Sequence, residues 1–344
     1  MTFISPSSFS SFKKCLAKPY LNKYGGNKTN RSASGYFGSF CHMFINKASK
    51  YFHKKKPNKV ELKKLWEQEL EKYSLISLKK DPRFRFKYPL KTFVKDFIYI
   101  RTFIINNLEK RLRREIVYEE GRATSEYSIF VDGFKASIDL VYKNQKYVKL
   151  VDFKFGKIFD ENNHIKDHYQ KQLYIYSAMY YLKYNVKPSS LVISNNKFIE
   201  FELDHKNMEY CINLFEEMKI LNNRVANINS IFDLKSISKP TIENCKYCIF
   251  RVDCPSYWES GISESEENID LLGSVVEVKN FSDGMTVILK INENKIEKIY
   301  DVPVMLKNII SKGIKIAFLN LYKKNELTNN NYLFSKYSDF VFLK

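Results

Sequence analysis

Charged positions interrupt two runs that otherwise read as buried strand: Asp139 in Ile138-Asp139-Leu140-Val141, and Asp152 with Lys154 in Val151-Asp152-Phe153-Lys154. A carboxylate inside an apolar strand is costly to desolvate unless a cation or strong donors meet it. Asp152 and Lys154 are two residues apart, so both side chains leave the same face of one strand. Asp139 sits at the end of the preceding strand and can reach that face. Two carboxylates converging at a strand end make a hard-oxygen site for Mg²⁺ or Mn²⁺. A lysine beside them can orient a water and offset charge developing on a phosphoryl group. Spacing alone leaves a second reading open, in which the three side chains lie on a solvated face and form a surface ion pair.

Around these positions the period of the apolar residues divides the chain. Three- and four-residue spacing predicts helices over Lys59–Tyr73 and Phe93–Arg114. Short Val/Ile/Tyr/Phe runs at Glu115–Tyr118, Tyr127–Val131, Lys135–Val141 and Tyr147–Phe153 predict a meander, with turns at Asp132-Gly133 and Lys143-Asn144. A helix over Lys166–Lys183, a strand at Ser190–Ser194, a turn at Asn195-Asn196, a strand at Phe198–Leu203 and a helix over Met208–Asn227 follow. Residues 258–268 are polar and acidic and read as a linker. Beyond them Gly273–Lys279, Met285–Ile291 and Ile314–Leu321 alternate like strands of a small all-β barrel, with an OB-like fold expected. The expected organisation is thus 1–257, a linker at 258–268, and a barrel over 269–344.

The charge balance narrows the partners. Lys and Arg number 57 against 38 Asp and Glu, a net charge of +19. The first acidic residue is Glu61, and the chain before it carries Lys13, Lys14, Lys18, Lys23, Lys28, Arg31 and Lys54-Lys55-Lys56. Such a surface fits nucleic-acid phosphates, whose counterions are released on binding, or anionic lipid, although no strongly amphipathic basic helix stands out. A Ser-rich, acid-free start also fits a transit peptide, and a solvated basic face needs no partner. With 44% hydrophobic residues the chain is not wholly disordered. It has no apolar run of membrane-spanning length and no secretory leader, so no membrane is expected. The expected location is cytoplasmic, or the nucleus or an organelle in a eukaryote.

Six cysteines in 344 residues do not make a disulfide framework. Cys245-x2-Cys248-x5-Cys254 is compact, but three thiols need a fourth ligand for a tetrahedral site, and spacing does not choose between zinc and iron–sulfur. Cys41 and Cys211 read as small buried hydrophobes. His42, amid aromatics, reads by itself as a packed core residue; His53, His164, His168 and His205 read as surface or structural residues.

These segments, in this order, resemble the RecB-like branch of the PD-(D/E)xK nuclease superfamily. There an Ile-Asp strand precedes an Asp-Tyr/Phe-Lys-Thr-Gly-Lys strand, and a Gln-x-x-x-Tyr helix follows, matched here by Gln172 and Tyr176. The resemblance implies an α/β restriction-endonuclease-like core, a mixed sheet flanked by helices. It implies that Asp139 and Asp152 bind Mg²⁺ or Mn²⁺, that Lys154 is catalytic, and that Gln172 and Tyr176 engage DNA. The branch also carries Gly-x-x-x-His, matched by Gly38 and His42, which makes His42 a third metal ligand. Some members hold a [4Fe–4S] cluster with one early cysteine and a Cys-x2-Cys-x5-Cys tail. By that likeness Cys15, Cys245, Cys248 and Cys254 form one cluster, with zinc as the alternative. The chain departs from the pattern at Phe155 (usually Thr), Ala136 (often Gly) and Leu16 (often Pro).

The expected function is a metal-dependent DNA nuclease, an exonuclease on single-stranded DNA or DNA ends. No Gly-x4-Gly-Lys-Ser/Thr loop occurs, so helicase action would come from a partner protein. Two competing readings are a non-catalytic single-strand-binding protein that keeps the fold and cluster, and an RNA-processing factor.

Overall fold

The structure, a computed structural model, describes residues 2–343 apart from 26–27, 30–31, 53–56, 114–121, 146, 196–199, 205, 231–232, 266–267, 324–330 and 336–337. It divides into two compact units, one of residues 1–13 with 31–226 and one of residues 14–30 with 227–344. The stretches that bear Cys15, Cys245, Cys248 and Cys254 thus fold in the same unit as the C-terminal strands.

In the first unit, Ser32 caps α1 (Ala33–Tyr51) by accepting the Gly35 N–H at 3.0 Å. The helix buries Phe37, Phe40, Cys41, Phe44 and Ala48 along one stripe. A reciprocal Asn58–Glu61 capping box opens α2 (Lys59–Lys80). Trp66 of α2 is fully buried, with the rings of Phe40 and Phe44 edge-on at 4.7 Å. The expected helix from Phe93 is interrupted: α3 (Leu90–Phe93) ends where Val94 turns extended, and α4 (Phe97–Arg113) restarts with the Asp96 carbonyl accepting Ile100 N–H at 2.9 Å. α4 packs against α1 and α2.

The sheet begins at the expected Asp132-Gly133 turn. Both residues take positive φ (49° and 81°), the backbone that a two-residue hairpin turn requires. It joins β1 (Arg122–Val131) to β2 (Phe134–Lys143), and β3 (Val148–Phe153) pairs antiparallel with β2. A parallel neighbour needs a crossover, supplied by α5 (Asp167–Tyr184), which returns the chain to β4 (Ser190–Ser194) beside β3. β5 (Glu200–Glu202) completes the order β1-β2-β3-β4-β5, a mixed sheet, with α5 across it and α6 (Met208–Ala226) on α5. The strand expected at Glu115–Tyr118, the residues Arg31, Lys54, Lys55, Lys56, Arg114 and Asn196, and the first two residues of the Phe198 strand lie outside the described residues, as do His53 and His205.

In the second unit, residues 258–268 hold the end of the helix Pro255–Glu259 and β6 (Glu264–Ser265), which pairs with β7 (Asn268–Asn280). The three expected strands are joined by others: β8 (Met285–Asn292), β9 (Lys295–Val302), β10 (Lys315–Lys323), β11 (Asn331–Leu333) and β12 (Asp339–Phe342). β7 pairs with both β8 and β10, closing the ring β7-β8-β9-β11-β10, in which β9 and β11 run parallel. At the point where β7 changes partner, a Cβ on Gly273 would stand 2.5 Å from the Lys290 carbonyl oxygen. Only glycine lets the two backbones approach so closely. Buried Asp270 on β7 accepts from Arg251 Nε (2.5 Å), Tyr257 Oη (2.7 Å) and Asn320 N–H (2.7 Å), tying the cysteine segment to the barrel wall. Val252 adds an apolar tie, packing with Ala317, Leu319 and Val341.

Candidate active site

Pairing of β2 with β3 brings Asp139 to the end of β3, where Phe153 N–H donates to its Oδ2 at 2.6 Å. Its Oδ1 lies 3.6 Å from His42 Nδ1, on α1. One strand over, Asp152 and Lys154 do leave the same face. Lys154 Nζ is 2.6 Å from Asp152 Oδ2, and Lys154 N–H continues the parallel ladder by donating to Ser194 O at 2.8 Å. The two carboxylates therefore converge, and the side chains form a buried set rather than a solvated ion pair.

Gln172, near the middle of α5, wires this set together. Its amide oxygen accepts from Lys154 Nζ at 3.0 Å, and its amide nitrogen donates to Asp152 Oδ1 at 3.0 Å and Tyr176 Oη at 2.8 Å. The amide orientation is fixed chemically, because an ammonium can only donate and a carboxylate only accept. Gln172 and Tyr176, four apart on one helix face as expected, are both buried. The Lys154 ammonium also lies 4.9 Å from the Tyr169 ring centroid.

Electrostatically the site is short of positive charge. Burial pushes both Asp139 and Asp152 up to about 6, against the pull of Lys154 on each and of the Phe153 N–H on Asp139, while each further carboxylate nearby adds to the rise. Burial also lowers His42. Asp152 Oδ2 is met by the Lys154 ammonium alone. Two carboxylates and an imidazole, with a single lysine to balance them, are a donor set of the kind that suits a divalent cation of the Mg²⁺ or Mn²⁺ class. Among the described residues no group of three or more His, Cys, Asp or Glu side chains stands placed to hold a metal ion.

His42, Lys154, Phe155, Lys157, Lys95 and Asn195 line a cleft of about 560 Å³. The His42 ring meets Phe155 edge-on at 4.8 Å, so the Phe that replaces the usual Thr packs against the imidazole.

The sequence from residue 4 to residue 255 matches the family model of the PD-(D/E)XK nuclease superfamily. The chain belongs to that superfamily. Its members are typically metal-dependent nucleases that hydrolyse phosphodiester bonds. No curated protein matches the sequence. Among solved structures, a murine DNA-binding protein bound with double-stranded DNA aligns at 8% identity over 65% of this chain and 95% of that one. Its TM-score of 0.22 is too low to carry an argument about fold.

One carboxylate near these side chains was not foreseen. Glu126 occupies the β1 position facing Asp139, between the pairs Ser125↔Leu140 and Tyr127↔Ile138. It adopts a left-handed φ of 50°, a strained conformation for a residue with a side chain. Its charge raises Asp139, His42 and Tyr176. No spacing rule points to it, because the signal is a backbone dihedral. His164 lies on the β3–α5 connection and His168 on the first turn of α5, where its ring meets that of Tyr169.

In the second unit Cys15, Cys245, Cys248 and Cys254 are free and brought together. Burial raises Cys245 and Cys248, and Cys254 to about 11, and every pairing among the four thiols contributes to those rises. Lys239 N–H donates to Cys15 Sγ at 3.4 Å, and backbone N–H groups of Phe250 and Tyr257 meet Cys248 and Cys254. Cys15, Cys245 and Cys254 are buried and Cys248 is half-buried. Cys41 and Cys211 are buried, as expected. Among the described residues no helix is long and apolar enough to cross a membrane.

Proposed function

We propose that this protein is a metal-dependent deoxyribonuclease of the RecB-like branch, acting as an exonuclease on single-stranded DNA or DNA ends. The observation that carries the reading is the convergence of Asp139, Asp152, His42 and Lys154 beside one cleft. His42, Asp139 and Asp152 would hold Mg²⁺ or Mn²⁺. When bound, such a cation supplies Lewis-acid stabilisation of the charge that develops on the scissile phosphate.

The chain's own residues do the rest. Lys154 Nζ is the ammonium of the site, held from two sides by Asp152 and Gln172, and it orients the attacking water and meets the developing phosphoryl charge. Phe153 N–H and Gln172 Nε2 hold the two carboxylates at fixed angles. Tyr176 in turn restrains Gln172. The strand contact that the resemblance assigns to Gln172 and Tyr176 requires DNA to reach side chains that are 6% and 4% exposed, so the proposed role of this pair is chiefly positioning.

We assign a [4Fe–4S] cluster to Cys15, Cys245, Cys248 and Cys254, with zinc as the alternative, and read the closed barrel as OB-like. Its strand order and the parallel β9–β11 pair support that reading. In this view residues 1–257 are the nuclease region, closed on itself by the cluster, with the barrel beyond 268. A helicase or another DNA-processing protein is the partner that would supply unwound strands, and the setting would be cytoplasmic, nuclear or organellar.

The test is cleavage of end-labelled single-stranded DNA with Mn²⁺, with and without chelator, by the wild type and Lys154→Ala. Metal-dependent cleavage that the variant loses supports the proposal; undiminished cleavage by the variant refutes the site. Anaerobic purification with an absorption spectrum tests the cluster. A broad shoulder near ~400 nm absent from Cys15→Ser is expected for thiolate-bound iron–sulfur, and bound zinc without it rewrites the assignment.

A further inference from the structure

The junction between α3 and α4 adjoins the cleft and has no part in the site described above. Val94, Lys95 and Asp96 line the catalytic cleft on one side and, on the other, a second depression of about 510 Å³. That depression is walled further by Lys91, Ile98, Tyr99 and Thr102. The apolar side chains here face outward: Ile98 is 67% exposed, Tyr99 46% and the neighbouring Phe93 45%. They belong to the first turn of α4 and the last residue of α3, whose other residues, Leu90, Val94, Phe97 and Ile100, turn inward to the helical core. The corner thus has a packed side and an outward apolar face, on which Tyr99 meets Phe103 at 5.7 Å between ring centroids while staying open to solvent.

Charge specifies the occupant. Lys91 and Lys95 flank the exposed rings, and Lys154 and Lys157 continue the basic series into the cleft. Asp96 is the one carboxylate lining either depression among the described residues. Aromatic and aliphatic faces alternating with lysines suit a polymer with stackable planes and one negative charge per unit. A duplex hides its base faces, so the fit is to a single strand.

We propose that this corner is a binding track that carries a single DNA strand into the cleft, with bases stacked on Tyr99 and Phe93 and phosphates on Lys91 and Lys95. The proposal deepens the nuclease reading and rests on it for direction, since the track ends where Lys154 begins. Tyr99 and Phe93 are substrate-positioning residues here, and touch no reacting atom.

The full chain is tested for binding of labelled dT20 by fluorescence anisotropy in metal-free buffer, so that no cleavage is needed. Ile98→Ser/Tyr99→Ala should weaken dT20 binding tenfold or more, as expected for loss of a stacking platform, with an unchanged melting midpoint because both side chains are exposed. Lys91→Ala/Lys95→Ala should flatten the slope of log K against log salt by about 1.4, at ~0.7 per phosphate for single strands. With Mn²⁺, hydrolysis of bis(p-nitrophenyl) phosphate, which is too short to use the track, should match wild type in Ile98→Ser/Tyr99→Ala, neither residue of which lines the catalytic cleft. Variants that bind and cut dT20 like wild type overturn the track while leaving the nuclease reading intact. So does a wild type with no affinity for dT20, or a loss seen equally on blunt duplex or chiefly on rU20. If the wild type cuts neither substrate but the variants lose dT20 binding, the track stands and the nuclease reading fails.

Discussion

Gln172→Ala separates a residue that acts through Lys154 from one that acts alone. The substitution removes the acceptor from Lys154 Nζ and the donors to Asp152 and Tyr176. A hydrogen bond to a charged group contributes about 1.5–3 kcal/mol, but only the part that is stronger in the transition state affects the rate. If about 2–3 kcal/mol across the two charged bonds is expressed there, kcat falls roughly 30- to 150-fold at about 1.4 kcal/mol per decade. Lys154→Ala, which removes the cation itself, should cost about 10³-fold or more. The decisive measurement is the double variant. If Gln172 serves to hold Lys154, then Lys154→Ala/Gln172→Ala is no slower than Lys154→Ala alone, because the lysine that Gln172 positions is already gone. Rates are taken by single-turnover cleavage of end-labelled dT20 at saturating Mn²⁺, which sets aside any loss of metal affinity through Asp152. A melting curve checks folding, since Asp152 Oδ1 loses its donor. Multiplicative losses in the double variant, or a Gln172→Ala enzyme within threefold of wild type, would refute the reasoning.

The second unit offers a sharper stability test: removing one partner from a buried ion pair costs about 3–5 kcal/mol, so Asp270→Ala should be unfolded by far less urea than wild type, whereas Arg251→Met/Asp270→Leu should recover most of the loss. Gly273→Ala should cost at least ~2 kcal/mol in the same assay, because its Cβ meets the Lys290 carbonyl at 2.5 Å and backbone cannot yield as a side chain can; a wild-type midpoint would show that β7 relaxes freely. In the helical layer, burial pushes the Glu69 carboxyl up, but Lys47 and Lys72 more than offset it and hold it below its ordinary value. A carboxylate lowered in the folded state contributes stability above its unfolded pKa and loses it as pH falls through the folded one. Glu69→Gln should therefore be about 1 kcal/mol less stable than wild type near pH 7, discounted for the half-exposed Lys47, and the gap should close as pH falls through the lowered carboxyl's titration; a gap that is constant with pH would mean packing, not charge, is at stake.

How much of this was legible in the sequence varied with the kind of signal. Asp139, Asp152 and Lys154 stood out because charge inside an apolar strand contradicts its surroundings, and the structure puts them together. Helix α1 was not expected, although Phe37, Phe40, Cys41 and Phe44 have helical spacing, and its contact with β2 through His42 and Asp139 is a tertiary fact that no local pattern encodes. β9 was missed because its alternation is inverted: Ile296 faces solvent while Glu297 is buried beside Lys295, so hydropathy points the strand the wrong way. The break between α3 and α4 was hidden for a related reason. Val94, Phe97 and Ile100 keep a three-residue apolar spacing straight through it, and periodicity does not register a change of axis that preserves the buried face.

Two aspartates make the strongest case that the site in the first unit exists to hold charge rather than to hold the fold. Asp270 and Asp152 are equally deep, at 1% and 3% exposed. Around Asp270 the protein spends a guanidinium, a phenol and a backbone amide, all aligned on its two oxygens. A carboxylate so surrounded is complete, and its removal is felt only as lost stability. Asp152 is given one amide donor on Oδ1 and a single lysine at Oδ2, while a second carboxylate stands close enough to raise it further. A fold that surrounds a buried aspartate fully in one unit has met another more sparsely beside a cleft. That difference has a physical reading: the pair of carboxylates has room for one more positive charge, which is what the proposed divalent cation would supply.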